Sequence, residues 1–174
     1  IRPKGTPADT AFNHRDLGEP SRVWTYQDKE GLLGYVCRFE QPEGKKEFRQ
    51  LTYRTNGKQA RWIWRGFDTP RPLYNLHLIQ ANTEAPIMLV EGEKCADFIT
   101  AHTQYIGTTW QNGSNSLKLM DWLPLAGREV ATWADHDTAG YKAMAEATEL
   151  LVIGNKIYKT GDDQYEPAER YCLP

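Results

Sequence analysis

The sequence predicts an α/β chain, α+β overall, with a basic antiparallel β-rich N-terminal part followed by a small parallel sheet flanked by helices. Three observations carry that prediction. Aromatic and β-branched segments separated by turn residues fill the first half, short apolar runs alternating with helical patterns fill the second, and charge divides between the halves. Residues 1–80 hold 14 Lys and Arg against 9 Asp and Glu, while residues 81–174 hold 7 against 14. A basic part joined to an acidic part suits a polyanion gripped by one and a cation site built by the other.

In chain order, 1–22 contain three prolines and little periodicity, and read as a linker or lead-in. From Val23, "VWTYQ", "LLGYVCRFE", "KEFRQLTYR" and "ARWIWRGF" read as strands, because "DKEG", "QPEGK" and "TNGK" place Gly, Pro and Asn where hairpins need them. These make an antiparallel subdomain over 23–80. Pro70 and Pro72 hold off any helix until Leu73. From 81 to 174 the rhythm changes. "PIMLVEGEKCADFITAHT" is strand then helix, "QYIGTTW" a short strand, "EVATWADHDTAGYKAMAEATELL" strand, turn and helix, and "NKIYKTG" a fourth strand. Such alternation is the pattern of a parallel sheet covered on both faces.

The 174 residues suffice for one domain or two small subdomains with a real core. Cys37, Cys95 and Cys172 are odd in number and never spaced as C-x-x-C, which argues against a disulfide framework and against a zinc site in this fragment. A reducing, cytoplasmic setting follows. No apolar run approaches the length of a membrane span, and no leader pattern is visible. The first residue, Ile1, suggests a piece of a longer protein.

In open parallel sheets, ligands gather at the carboxyl ends of strands. Glu91 ends the run "IMLV", and Asp135 and Asp137 end "VATWA". On an extended segment, side chains two apart face the same way, so the three carboxylates converge if those strands are neighbours. Two carboxylates about 4 Å apart repel by about 4 kcal/mol at an effective dielectric near 20, so such a cluster shares a proton or binds a cation. Oxygen-only ligands favour Mg²⁺ or Mn²⁺. The same Asp137 is equally placed to cap the helix that begins near Ala139. Gly92 after Glu91 allows a sharp turn and the approach of a ligand. By alternation His136 points away from the two aspartates and is not a ligand, and "NGSN" at 112–115 reads as a loop with backbone N–H groups in a turn.

Together, "IMLVEGEKCAD" and "VATWADHDTAG" resemble the TOPRIM domain, whose first acidic strand ends in Glu-Gly and whose later strand ends in Asp-x-Asp followed by a glycine. Glu91 and Asp135 stand 44 residues apart, Gly140 follows, and "YIGTTWQNGSNS" matches the family's glycine-bearing second strand and loop. The preceding "GLLGYVCRFEQPEGKKEFRQ", "WIWRGF" and "PLYNLHLI" look like the polymerase region of phage and bacterial-type DNA primases and primase-helicases.

That resemblance implies a metal-dependent nucleotidyltransferase that makes short RNA primers from ribonucleoside triphosphates on a single-stranded DNA template during replication. It implies Glu91, Asp135 and Asp137 as catalytic metal ligands, with a further acid matched by Asp162 or Asp163, and Mg²⁺ or Mn²⁺ as cofactor. It suggests Arg38, Lys45, Lys46 and Arg49 for gripping triphosphate or template phosphates, and Lys94 beside the metal. Arg38 and Arg49 fall in strands and Lys45 and Lys46 at a turn, which leaves a single basic face open. Arg54, Arg61 and Arg65 interleave with Tyr53, Trp62 and Trp64 in a pattern that suits stacking on single-stranded DNA, although two tryptophans on one strand face read as core. A zinc-binding module and a helicase, the usual companions, are not encoded in these residues. Two alternatives share the acids: a TOPRIM nuclease and a non-catalytic replication-accessory DNA-binding domain.

Overall fold

The structure, a computed structural model, describes residues 12–55 and 57–151 and the backbone of 156–159. The chain divides into two compact units, Ile1–Asp68 and Thr69–Pro174. The division falls before the expected 80/81 boundary. Arg71 donates its backbone N–H to Leu119 O and Tyr74 its own to Thr109 O, so the segment after Asp68 is bonded into the second unit.

The first unit is an antiparallel meander of four strands in sequence order: β1 (Arg22–Asp28), β2 (Gly31–Glu40), β3 (Lys46–Thr55) and β4 (Ala60–Trp64). One sheet face carries the core, in which Tyr35, Cys37, Phe39 and Leu51 are buried and Trp62, Trp64 and Leu32 pack against them. Trp62 lies 5.4 Å from Tyr35 and Trp64 5.7 Å from Phe39, ring centre to ring centre, so both tryptophans share one face as core. The lead-in is shorter than expected. Phe12 and Leu17 join this core, and Phe12 meets Tyr35 edge-on at 5.0 Å. Burial of apolar side chains from 12–17 makes that stretch part of the unit.

The second unit is a parallel sheet in the order β6-β5-β7-β8, built from β5 (Ile87–Leu89), β6 (Ile106–Thr108), β7 (Glu129–Thr132) and β8 (Lys156–Lys159). Helices α1 (Leu76–Ala81), α2 (Glu93–His102) and α3 (Thr138–Leu151) accompany it. All three residues of β5 are buried, as a strand covered on both faces requires. α3 buries Gly140, Ala143, Met144, Ala147, Thr148 and Leu151, the three-and-four spacing of one helix face. Gly107 lets α2 lie against β6: a Cβ there would stand 2.2 Å from the Ala96 carbonyl oxygen. No helix among the described residues is long and apolar enough to cross a membrane.

Candidate functional site

The strand order itself marks a place. β5 connects through α2 to β6 on one side, while β7 connects through α3 to β8 on the other. The chain therefore reverses its winding between β5 and β7, and in open α/β sheets the crevice beyond the carboxyl ends at such a point is where ligands bind. Register fixes the neighbours, with Leu89 beside Thr132. Glu91 follows β5 by two residues and Asp135 follows β7 by three, so both leave the sheet at that crevice.

They meet through the backbone. The Asp135 N–H donates to Glu91 Oε1 at 2.8 Å, which clamps the loop after β7 to the side chain after β5. Gly140 makes room for this clamp. A Cβ at 140 would lie 2.6 Å from Glu91 Oε1 and 2.7 Å from the Asp135 carbonyl oxygen, so the glycine leaves a cradle that any other residue would fill. The glycine expected to matter, Gly92, does not need to be one. Its φ of −155° is extended backbone open to any residue, and nothing lies within 4 Å of a Cβ there.

Asp137 caps α3. Its Oδ1 accepts the Gly140 N–H at 2.7 Å, and its carbonyl accepts the first helical N–H, from Tyr141, at 3.0 Å. This satisfies one of the donors that a helix N-terminus leaves open, and an acid there also faces the positive end of the helix dipole. The expected alternation of Asp135 and Asp137 along a strand is not what forms. β7 ends at Thr132, and the Asp137 N–H turns back to the Asp135 carbonyl at 2.8 Å, so the pair sits in a bend. His136, between them, is turned to Tyr141, with Nδ1 2.8 Å from the phenol oxygen.

The three charges feel one another. Burial holds the Glu91 carboxyl above its ordinary range; the Asp135 N–H works against this, and the Asp135 and Asp137 charges add to it. Asp135 is open to solvent as a residue, yet its carboxyl is also raised, first by partial desolvation and then by the Asp137 charge. Solvent screening weakens that second effect at so open a position. Among the described residues, no three Asp, Glu, His or Cys side chains form a ready-made metal cage. The expected convergence takes the form of a clamp and a cap, because Glu91 and Asp137 each give one oxygen to a backbone N–H. No hydrogen bond among the described residues reaches Glu91 Oε2, Asp137 Oδ2 or either Asp135 carboxylate oxygen. Oxygen donors of this kind, crowded by like charge, with Glu91 partly buried and both aspartates open to solvent, fit a hard divalent cation.

The basic candidates scatter. Cross-strand partners share a sheet face, and Arg38 pairs with Phe48 while Arg49 pairs with Cys37, which puts the two arginines on opposite faces. Lys46, opposite Glu40, shares the Arg38 face. The single basic face therefore does not form. Ion pairs tie Arg38 to Glu40 at 2.5 Å, Arg49 to Glu47 at 2.7 Å and Lys45 to Glu43 at 3.3 Å. Arg54 is held by Asp68, by the Gly66 carbonyl at 2.5 Å and by Thr52 Oγ1 at 3.1 Å, so it braces its own unit. Arg61 and Arg65 are exposed. Lys94 is exposed on the first turn of α2 and forms no ion pair among the described residues. Asp162 and Asp163 lie outside the described residues.

Sequence reasoning gave Asn75 no role of its own. Its backbone is left-handed, at φ 55°, and its buried side-chain amide donates to the Gly107 carbonyl at 2.9 Å, joining the start of α1 to β6. An Asn before an apolar helix is the available signal, since Asn tolerates that conformation better than other non-glycine residues.

No family model matches the chain, and no curated protein matches it. Among solved structures the fold is similar to the DnaG catalytic core, with a TM-score of 0.50 at 17% identity over 83% of this chain and 46% of that one. It is similar to the E. coli primase catalytic core, with a TM-score of 0.52 at 19% identity over 83% and 45%. It is also similar to the Aquifex aeolicus primase comprising zinc-binding and RNA polymerase domains, with a TM-score of 0.53 at 20% identity over 86% and 36%. The chain spans less than half the length of each of these structures. The fold, an antiparallel sheet followed by a helix-flanked parallel sheet, is therefore that of the DnaG-type primase catalytic cores, which contain the TOPRIM domain.

Proposed function

We propose that the chain is the catalytic core of a DNA primase, joining ribonucleoside triphosphates into short RNA primers on single-stranded DNA. The observation that carries this reading is the clamp at the winding reversal: Glu91 and Asp135, from adjacent parallel strands, meet beside Asp137 in a fold shared with primase cores. Glu91, Asp135 and Asp137 would hold Mg²⁺ or Mn²⁺. Bound there, the ion supplies activation of the primer 3′-hydroxyl and neutralisation of charge on the transferring phosphoryl group. The chain's own part is placement. The Asp135 N–H fixes the Glu91 carboxylate and leaves Oε2 for binding, while the cap fixes Asp137 by Oδ1 and leaves Oδ2. Fixed charges cost no reorganisation during the reaction. Lys94, exposed on the first turn of α2 and three residues after Glu91, would meet a triphosphate oxygen. A zinc-binding module for template recognition and a helicase would act with this core, in the same chain or separately, in the cytoplasm of a bacterial or phage-infected cell.

Asp137→Asn tests the reading with little structural disturbance, because Asn caps helices as well as Asp. With labelled ribonucleotides, a single-stranded template and Mg²⁺, the wild type makes primers. The variant should lose more than about 100-fold in synthesis, beyond the loss expected from a supporting group alone. Its far-UV spectrum and melting should be unchanged. Near-normal synthesis by the variant refutes the assignment. Cleavage of the template by the wild type assigns a nuclease instead, and retention of the template without any product assigns a binding domain.

A further inference from the structure

Along α3, starting two residues after Asp137, lies an open cleft of about 460 Å³, within the size range of ligand clefts. Ser114, Asn115 and Lys118 line it from a 3-10 segment (Ser114–Leu119), and Ala139, Lys142 and Glu146 line it from α3. We infer that this cleft binds the sugar-phosphate backbone of a single nucleic-acid strand, with Lys118 and Lys142 as its phosphate contacts.

Its walls are held in place. Leu117 is fully buried, and the Ser116 hydroxyl donates to the Gln111 and Gly113 carbonyls, so the 3-10 segment is pinned with Ser114, Asn115 and Lys118 on its outer side. On α3, Ala139, Lys142 and Glu146 follow at three- and four-residue steps along one face. Two exposed lysines from segments distant in sequence thus line one cleft, and neither forms an ion pair among the described residues. Glu146, a turn beyond Lys142, is not paired with it either. Like charges facing a shared space repel, and an anion between them reverses the sign of that interaction. The remaining polar lining, a hydroxyl and an amide, suits phosphate and sugar oxygens. Ala139 is the small residue at the end nearest the acids, two positions after Asp137, so a strand lying here leads towards the crevice. The sequence marked this loop through "NGSN"; the side chains that matter come just after it and from α3.

The inference rests on the primase reading only in supposing that a strand is bound, and its test needs no ribonucleotide. Fluorescence anisotropy with labelled oligothymidylate and oligouridylate of about 20 nucleotides, longer than a typical single-strand site, is measured across a salt series. The proteins are the wild type, Lys118→Gln, Lys142→Gln, the double variant, and Lys29→Gln as a control in the turn between β1 and β2. Each phosphate contact contributes about 0.7 to the slope of log affinity against log salt for single strands, equivalent to roughly fivefold in affinity at about 0.1 M salt. The double variant should therefore bind roughly 25-fold more weakly at that salt, with a slope shallower by about 1.4, and should melt as the wild type does. An effect on both oligonucleotides assigns the shared backbone, and an effect on one names template DNA or product RNA as the strand. An unchanged slope, an equal change from Lys29→Gln, or loss of inorganic tripolyphosphate binding with strand binding intact overturns the inference. A lysine-dependent slope in a chain that makes no primers refutes the primase reading and leaves this one standing; primer synthesis with an unchanged slope does the reverse.

Discussion

Gly140→Ala isolates the steric demand of the crevice. Gly140 is the third residue of α3, and within helices alanine is ordinarily better than glycine by up to about 1 kcal/mol, so the default expectation is a gain. Here the new methyl would stand 2.6 Å from Glu91 Oε1, short of the 3.4 Å of ordinary contact by about 0.8 Å, and 2.7 Å from the Asp135 carbonyl oxygen. The Glu91 side chain can swing away, at the cost of the 2.8 Å bond from the Asp135 N–H, and a hydrogen bond to a charged group is worth about 1.5–3 kcal/mol. The Asp135 carbonyl belongs to the backbone and cannot yield cheaply. Relief of part of the like-charge crowding offsets some of this. The net expectation is a loss of about 1–2 kcal/mol, seen as a melting temperature lower by roughly 2–8 °C for a domain of this size. Primer synthesis should fall further than stability does, because the displaced carboxylate is the one assigned to the metal. Differential scanning calorimetry and the primer assay read the two effects. A variant that melts at or above the wild-type temperature and synthesises normally refutes both the clamp and its role.

Two further outcomes follow from the same geometry. Glu91 has a folded-state pKa above its unfolded value, chiefly through burial, so the native state holds a proton where the unfolded state has lost it. Stability therefore falls as pH rises from the ordinary carboxylate range through the raised value. Glu91→Gln should flatten that fall and raise the neutral-pH melting temperature in chelator, even as it abolishes synthesis; a lower melting temperature across the whole pH range contradicts the sign. Gly107→Ala puts a methyl 2.2 Å from a backbone oxygen of α2 and should cost more than about 4 kcal/mol, whereas Gly92→Ala, with open space and extended backbone, should stay within about 0.5 kcal/mol. Circular dichroism melts that rank these two variants the other way would overturn the packing assigned to α2 and β6.

Local rules made much of the fold legible. The hairpin residues around β1 to β4 and the all-apolar β5 each announce their element, because turn chemistry and two-sided burial act within a few residues. The boundary between the units was less legible. Arg71 and Tyr74 are bonded into the second unit by backbone hydrogen bonds, and a backbone bond leaves no mark on residue type. Phe12 and Leu17 went unread for a related reason: two apolar residues among prolines and polar side chains show no period, yet each finds a sheet face.

At the site, spacing located Glu91, Asp135 and Asp137 at the right strand ends but misjudged how they are held. Strand alternation was the natural rule for Asp135 and Asp137, and it fails because β7 stops three residues before Asp135. For Asp137 the helix cap forms, and the cap does not conflict with the proposed role as a cation ligand. Capping takes Oδ1 alone, and a carboxylate has two oxygens, so the cap holds the side chain and leaves Oδ2 for the proposed cation. The same holds for Glu91, whose bond from the Asp135 N–H fixes one oxygen. Both acids are thus oriented by backbone donors rather than by counter-charges. A nearby lysine or arginine would have offset their negative charge and favoured the fold in the absence of metal. Backbone amides orient them without cancelling the like-charge repulsion. Burial, together with that repulsion, holds the Glu91 and Asp135 carboxyls above their ordinary range, and a divalent cation that displaces the proton relieves the repulsion.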